Sequence, residues 1–453
     1  MKRYSKYVLV DIPWYREIPA HWDCYRGKRL FNNPKEKNVG NKEKNLLSLT
    51  LGGVIKNDAD NPIGLSPADY ATYQIFAKND LVFKMIDLEN VSTSRVGIVP
   101  ERGIMSSAYI RFVARESINA RYFFFQYYSW WLQNIFNGLG AGVRQTLSST
   151  DLINLKIAIP PSEEQDQIVR YLDWKISKIN ELIHRYQKEI QLLEERRQTV
   201  IDFFVTHGVD NALLKTEASS WMGNIPVHWK MVPAKRLFVE SRKRRIQTDI
   251  PATASQKYGI ISQADYMQKE QRRIVVANQG LEDWKHVEKN NFVISLRSFQ
   301  GGIERSNITC CVTWHYIVLV PQKYVQEDYF KWLLKSKHYI KALQGTSDFI
   351  RDGQDLRFSN FVRIDLPLIP KEEQQRIASF IEKSVIEIEN IIPSVHKKIS
   401  LLREYRTRLI SDVVTGQVDV RGIKVPDYVP SGDTSSYTYD HNGNSEEVSM
   451  DAD

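Results

Sequence analysis

The stretch "IPPSEEQDQIVRYLDWKISKI" (159–179) is written a second time as "IPKEEQQRIASFIEKSVIEI" (369–388). Both open with Ile-Pro, carry Glu-Glu-Gln, and run into apolar residues three and four apart. Leu172, Ile176, Ile179, Ile183, Tyr186, Ile190, Leu193, Arg197 and Val200 alternate steps of four and three. Ile381, Val385, Ile388, Ile392, Val395, Ile399, Leu402, Arg406 and Leu409 follow the same rhythm. A heptad sustained for about four repeats predicts a coiled-coil seam rather than a short surface helix. Ser162 with Gln165 resembles a capping box, and Glu163-Glu164, like Glu372-Glu373, suits the positive end of a helix dipole. Pro393 falls inside the second run, where His184 stands in the first. A proline there removes a backbone bond and predicts a kink or two shorter helices.

Working outward, the repetition covers most of the chain. "WYREIPAHWDCYRGKRLF" at Trp14 pairs with "WMGNIPVHWKMVPAKRLF" at Trp221, an offset of 207. The offset holds at "AYIRFV" (Ala108) against "HYIVLV" (His315), and at "RYFFFQYYSWWLQNIFNG" (Arg121) against "DYFKWLLKSKHYIKALQG" (Asp328). It then becomes 209 through the Glu-Glu-Gln segments and on to "VTHGVD" (Val205) against "VTGQVD" (Val414). Such constancy marks two homologous halves. Between the matched ends, 32–107 and 239–314 share only a possible strand, "LVFKM" against "FVISL", and a Gly-Ile at Gly97 and Gly302. Each half has a common frame and a private interior, one architectural job done on two targets.

The expected fold is α+β: two homologous α/β domains separated by two long helices that pair as an antiparallel intramolecular coiled coil with pseudo-two-fold symmetry. The segments run 1–160, first domain; 161–206, first helix; 207–220, linker; 221–369, second domain; 370–415, second helix. The polar, acidic stretch 427–453 reads as a disordered tail. Leu172, Ile176, Ile179, Ile183, Ile190, Leu193, Ile381, Val385, Ile388, Ile392, Ile399 and Leu402 form the seam. Arg197 and Arg406 could fix its register against glutamates near the opposite helix start, or snorkel. The aromatic helices at Tyr122–Asn137 and Tyr329–Gln344 read as core. His21 and His228, each before a tryptophan, read as packing or capping groups.

At 453 residues, two or more domains are expected. No apolar run reaches the roughly 20 residues of a membrane span, and the charged opening stretch without a sustained apolar core leads us to expect no signal peptide. Cys24, Cys310 and Cys311 lack disulfide or metal spacing, so reduced thiols in the cytoplasm are expected. The net charge of +8 favours a polyanionic partner. A methyltransferase reading finds only "FNGLG" at Phe136, where glycine follows a helix as a C-cap would, and "DIPW" at Asp11. Asp-x-Lys pairs at Asp173 and Asp283 lack the acidic partner that a nuclease needs.

Two unlike interiors, each opened by W-x-x-x-I-P-x-H-W and closed by P-x-E-E-Q-x-x-I plus a long helix, resemble the DNA-specificity subunits of type I restriction–modification systems. The likeness covers roughly residues 10 to 420. It implies a non-catalytic subunit for host defence in which each interior is a target-recognition domain reading one half of a bipartite, asymmetric site on double-stranded DNA. It further implies that the helices set the half-site spacing and dock two methyltransferase subunits, with restriction subunits joining the full complex. No cofactor is expected on this chain, S-adenosylmethionine belonging to the methyltransferase partner. The alternatives are the specificity subunit of another type of restriction system, or a coiled-coil adaptor that binds no DNA. The family's motifs mark no base-reading positions, so candidates follow from residue type: cations for phosphates, Gln for adenine. In the first interior these are Arg95, Arg102, Arg144 and Gln145. In the second they are Arg242, Lys243, Arg244, Arg245, Arg272, Arg273, Arg297, Arg305 and Arg351, with Gln263 and Gln300. Each is weighed against an ordinary solvated surface charge.

Overall fold

The computed structural model of the chain describes residues 2–58, 67, 69–89, 93–115, 118–140, 145–216, 221–270, 281–295, 298–346 and 356–428. Two compact units emerge, one from residues 1–186 with 396–453, the other from residues 187–395. The division runs through both long helices. These are Ser162–His207 and Lys371–Val414, of 46 and 44 residues.

Each unit therefore holds a segment of both helices, and in each they run antiparallel. In the second unit Arg197 Nε meets Glu389 Oε1 at 3.2 Å and the Phe204 ring lies 4.4 Å from that of Phe380. In the first, Arg406 donates to the Asn180 amide oxygen at 2.7 Å and Lys398 lies over the Tyr186 ring. As one residue number rises, its partner's falls. Leu172, Ile176, Ile179, Ile183, Ile381, Val385, Ile388 and Ile399 are buried, and Ile190, Leu193, Ile392 and Leu402 half-buried. A fully buried aliphatic side chain contributes about 1.5–3 kcal/mol, so the heptad seam is the helices' main support. Arg197 finds its glutamate in mid-helix rather than near a helix start, and buried Arg406 donates to an amide oxygen.

Pro393 does not split the second helix. It is exposed, so water can take the carbonyl its ring leaves free, while Ser394 Oγ donates to Ile391 O at 2.7 Å. The aromatic helices break where the sequence suggested continuity. Ala120–Leu132 and Ile135–Leu139 are separated at Asn134, whose φ of 56° is left-handed. Glu327–Leu333 and Lys337–Gln344 are separated where Ser336 caps Tyr339 N. The buried run from Tyr122 to Trp131 confirms core packing.

The private interiors share one strand set. In the first unit a four-stranded antiparallel sheet is ordered Phe31–Asn32, Ile110–Ala114, Leu81–Phe83, Val96–Ile98; in the second, Phe238–Ser241, Ile317–Pro321, Phe292–Ile294, Glu304–Arg305. Each has a hairpin, Leu47–Thr50 with Gly53–Lys56 and Ala252–Ser255 with Gly259–Ser262. Each also has a second pair, Gln74–Phe76 with Gly103–Met105 and Lys285–Val287 with Cys310–Val312. "LVFKM" and "FVISL" do begin equivalent strands. The Gly-Ile match does not survive: Val82 faces Gly97 while Val293 faces Glu304, so Gly97 corresponds to Glu304 and not to Gly302. Burial pushes the Cys310 and Cys311 thiols up to about 11, which keeps them protonated.

The repeated motifs lock onto one another. Buried Glu164 accepts from His21 Nε2 (2.8 Å), Trp22 Nε1 (3.1 Å) and the Tyr4 hydroxyl. Glu373 accepts from His228 Nε2 (2.9 Å) and Trp229 Nε1 (3.0 Å). The His-Trp of one motif thus holds the second glutamate of the other. No Ser162–Gln165 box forms. Gln165 Nε2 instead reaches back to Pro160 O and Gln374 Nε2 to Ile369 O, while their oxygens accept from the backbone N–H of Asn119 and Gln326. Each long helix ends against the globular part of the other half. Tyr122 OH donates to Val414 O and Tyr329 OH to Val205 O. Gly208 and Gly416 close the helix ends at φ of +74° and +73°; a Cβ on Gly416 would sit 2.4 Å from the Pro19 ring.

Candidate nucleic-acid interface

The second unit gathers the basic run at one edge. Beyond Phe238–Ser241 the chain lies against the strand Lys285–Val287, with His286 N donating to Lys243 O (2.9 Å) and Arg245 N to Trp284 O (2.8 Å). The backbone is fixed while the side chains of Arg242, Lys243 and Arg244 remain 85%, 68% and 74% exposed. Each has an acidic neighbour, Glu240 at 3.4 Å, Glu288 at 2.8 Å and Asp283 at 3.6 Å. Exposed pairs of this kind contribute roughly 0–1 kcal/mol, so a phosphate can displace them. Arg245 turns partly inward. Lys285 is half-buried, donates to Tyr316 O at 2.6 Å, and has its pKa lowered by that burial.

The same place in the first unit is held by Lys35, Glu36 and Lys37, all exposed. Lys37 bridges Gln74 as Arg244 bridges Lys285, and the Gln74 amide donates to Tyr109 O as Lys285 does to Tyr316 O. Sequence reasoning missed Lys35 and Lys37 although the signal was present, since the offset of 207 carries Arg242 and Arg244 onto them. A cleft at the hairpin base adds Lys44, Lys56 and Asn57, also missed. Beside it Arg102, 57% exposed, pairs with Glu43 at 3.2 Å. The Glu43 carboxyl is held low first by the backbone N–H of Asn45, with Lys44 N–H and Arg102 assisting. Asn57 N donates to Leu46 O as Gln263 N does to Pro251 O, so Asn57 and Gln263 are structural counterparts.

Other candidates sit differently. Arg95 is a core residue, 1% exposed, donating to the carbonyls of Ile86 and Asp87. The strand that follows it, Val96–Ile98, is too short for alternation to reveal which way Arg95 points. Arg305 is 14% exposed and bound to Asp328, because its edge strand packs on the helix Glu327–Leu333. Neither presents a surface cation. Gln145, at φ 42°, donates to Glu89 at 3.0 Å. Gln263 is half-buried and Gln300 exposed. Arg144, Arg272, Arg273, Arg297 and Arg351, like most of the 427–453 tail, lie outside the described residues. Asp173 is gripped by Arg121 at 2.7–2.9 Å, a structural pair. Among the described residues no His, Cys, Asp and Glu group has metal-binding geometry, and no helix is long and apolar enough to cross a membrane.

The family model described as "Type I restriction modification DNA specificity domain" matches twice, at residues 26–192 and 226–395. The type I restriction enzyme MjaVIII specificity subunit of Methanocaldococcus jannaschii is 22% identical over 353 residues, 71% of this chain and 76% of that protein. A second protein of that organism, assigned as the MjaX specificity subunit, is 23% identical over 287 residues, and the match spans 61% of this chain and 63% of that relative. A solved structure titled "Structural basis underlying complex assembly and conformational transition of the type I R-M system" shares the fold, with a TM-score of 0.64 at 13% identity, covering 88% of this chain and 99% of that one.

Proposed function

This chain belongs to the type I restriction modification DNA specificity family, and from that premise we propose that it is the sequence-reading subunit of a type I restriction–modification enzyme. Each unit reads one half of a bipartite site on duplex DNA. The chain carries out no chemistry itself; methylation of adenine N6 falls to a docked methyltransferase and its S-adenosylmethionine, and restriction subunits join that complex. One observation carries the reading. A single strand set is built twice, yet equivalent positions hold different residues: exposed Lys35-Glu36-Lys37 against exposed Arg242-Lys243-Arg244, and buried Asn57 against half-buried Gln263. Shared scaffolding with unlike faces suits two readers of unlike sequences. A palindrome would call for matching faces.

Single-molecule methylation sequencing of DNA from cells expressing the chain with its methyltransferase tests this. The expected result is one asymmetric split motif with N6-methyladenine in each half. A continuous or palindromic motif would overturn the two-reader assignment.

The basic run should act on phosphates. Changing Arg242, Lys243 and Arg244 together to alanine is expected to weaken binding to all duplexes alike. The slope of log K against log salt should become shallower by about 0.9 for each phosphate that the variant leaves unneutralised. A salt titration with an unchanged slope would remove these residues from the interface.

A further inference from the structure

The turn Thr313–Tyr316 of the second unit, closed by Tyr316 N donating to Thr313 O at 3.1 Å, puts an exposed aromatic pair at its tip. Trp314 is 56% exposed, and its ring lies on that of His315 with centroids 3.4 Å apart and planes 29° apart. An exposed apolar side chain is ordinary by itself; this one is set apart by its stacked partner and its surroundings. Lys285, whose ammonium holds Tyr316 O, pairs with Val312 on one side and bridges Arg244 on the other. The turn therefore adjoins the strip carrying Arg242, Lys243 and Arg244. The first unit has the same turn, closed by Tyr109 N donating to Ser106 O at 3.1 Å. Its tip holds Ser107 and Ala108 instead, with no aromatic ring.

We propose that the stacked Trp314–His315 pair is a platform for a nucleobase face that the second unit uses and the first lacks. The occupant is an unstacked or end-exposed base of the bound nucleic acid, its phosphates neutralised by the adjoining cations. A flat indole backed by an imidazole offers a π face that any base can cover, and stacking of this kind contributes a sequence-tolerant share of affinity. The cations supply the charge complementarity that an apolar protein partner would not need. This rests on the DNA-reading function proposed above and adds a local distortion of the duplex at one half-site only.

The test uses the full chain in complex with its methyltransferase and a duplex carrying its motif. A 2-aminopurine is moved along each half-site in turn. Apart from the two methylated adenines, which the methyltransferase itself extrudes, wild type should raise the probe's fluorescence at one position in the half-site of the second unit and at none in the other. Trp314→Ala should abolish that rise and weaken binding roughly 5- to 100-fold, whereas Trp314→Phe should restore most of both. Because the side chain is exposed, the melting temperature should stay put, which separates loss of stacking from loss of fold. If wild type binds the duplex and Trp314→Ala binds equally well, the platform is refuted while the reading function stands. If Trp314→Ala instead loses the methyltransferase but not the duplex, the surface is a protein contact and the proposal falls. Wild type that shows no salt-dependent duplex binding at all would defeat the underlying function itself.

Discussion

Glu164→Ala is expected to lower the stability of the first unit by roughly 2–5 kcal/mol, since each orphaned buried donor costs about 1–3 kcal/mol. Three donors lose their acceptor at once: the Tyr4 hydroxyl, the Trp22 indole and the His21 imidazole. Tyr4 and Trp22 are each 5% exposed and cannot turn to water; His21, 37% exposed, partly can. Burial, and then the bond to Glu164, raises the Tyr4 pKa, so the phenol remains a donor throughout the physiological range. Glu373→Ala removes the acceptor of two donors rather than three and should cost less. Glu164→Gln keeps one carbonyl oxygen and should fall between wild type and alanine. Amide hydrogen exchange reads the result locally, with protection expected to drop around residues 4–26 and 162–170 and hold elsewhere. A loss below about 1 kcal/mol, or one spread evenly over the chain, would mean that the clasp is not what closes the unit.

Exchanging residues 32–150 for the interior of another specificity subunit should rewrite one half of the methylated motif completely and leave the other half untouched. The strand set explains why. The residues exchanged carry the first unit's hairpin, its four-stranded sheet and the cations Lys35, Lys37 and Arg102. The second unit's reading face is drawn from 238–321. The exchanged piece also carries Tyr122 and Gln126, whose side chains hold Val414 O. An incoming interior without a donor at those places should still switch specificity but lose stability. Both halves of the motif changing together would contradict the assignment of one interior to each half-site.

The sequence made the frame legible because the frame is written in side-chain identity. His21-Trp22 and His228-Trp229 recur because one glutamate geometry needs them. The heptads recur because Leu172 and Ile381 are both fully buried at the same position of their helices. The interiors hid their kinship because it lies in backbone pairing: Asn57 N to Leu46 O and Gln263 N to Pro251 O make one bond with unrelated residues. Short strands hid the rest. Over the three residues Val96–Ile98, alternation is too brief to show that neighbouring Arg95 points inward, and its charge made it look like a surface group. Capping went astray for a related reason. The Gln of Glu-Glu-Gln does satisfy backbone groups, but at Pro160 and Asn119, which no local pattern could pair with it.

The discontinuity of the first unit has a consequence for biosynthesis. Residues 187–395 are contiguous and can close as soon as they leave the ribosome. The segment 1–186 must wait for 396–420, about 10–40 s at ordinary elongation rates. The half synthesised first would therefore mature last, its Tyr122 and Gln126 lacking the carbonyl of Val414 until that residue has emerged. A premature stop close to residue 400 would accordingly spare the later-encoded reader and cripple the earlier one.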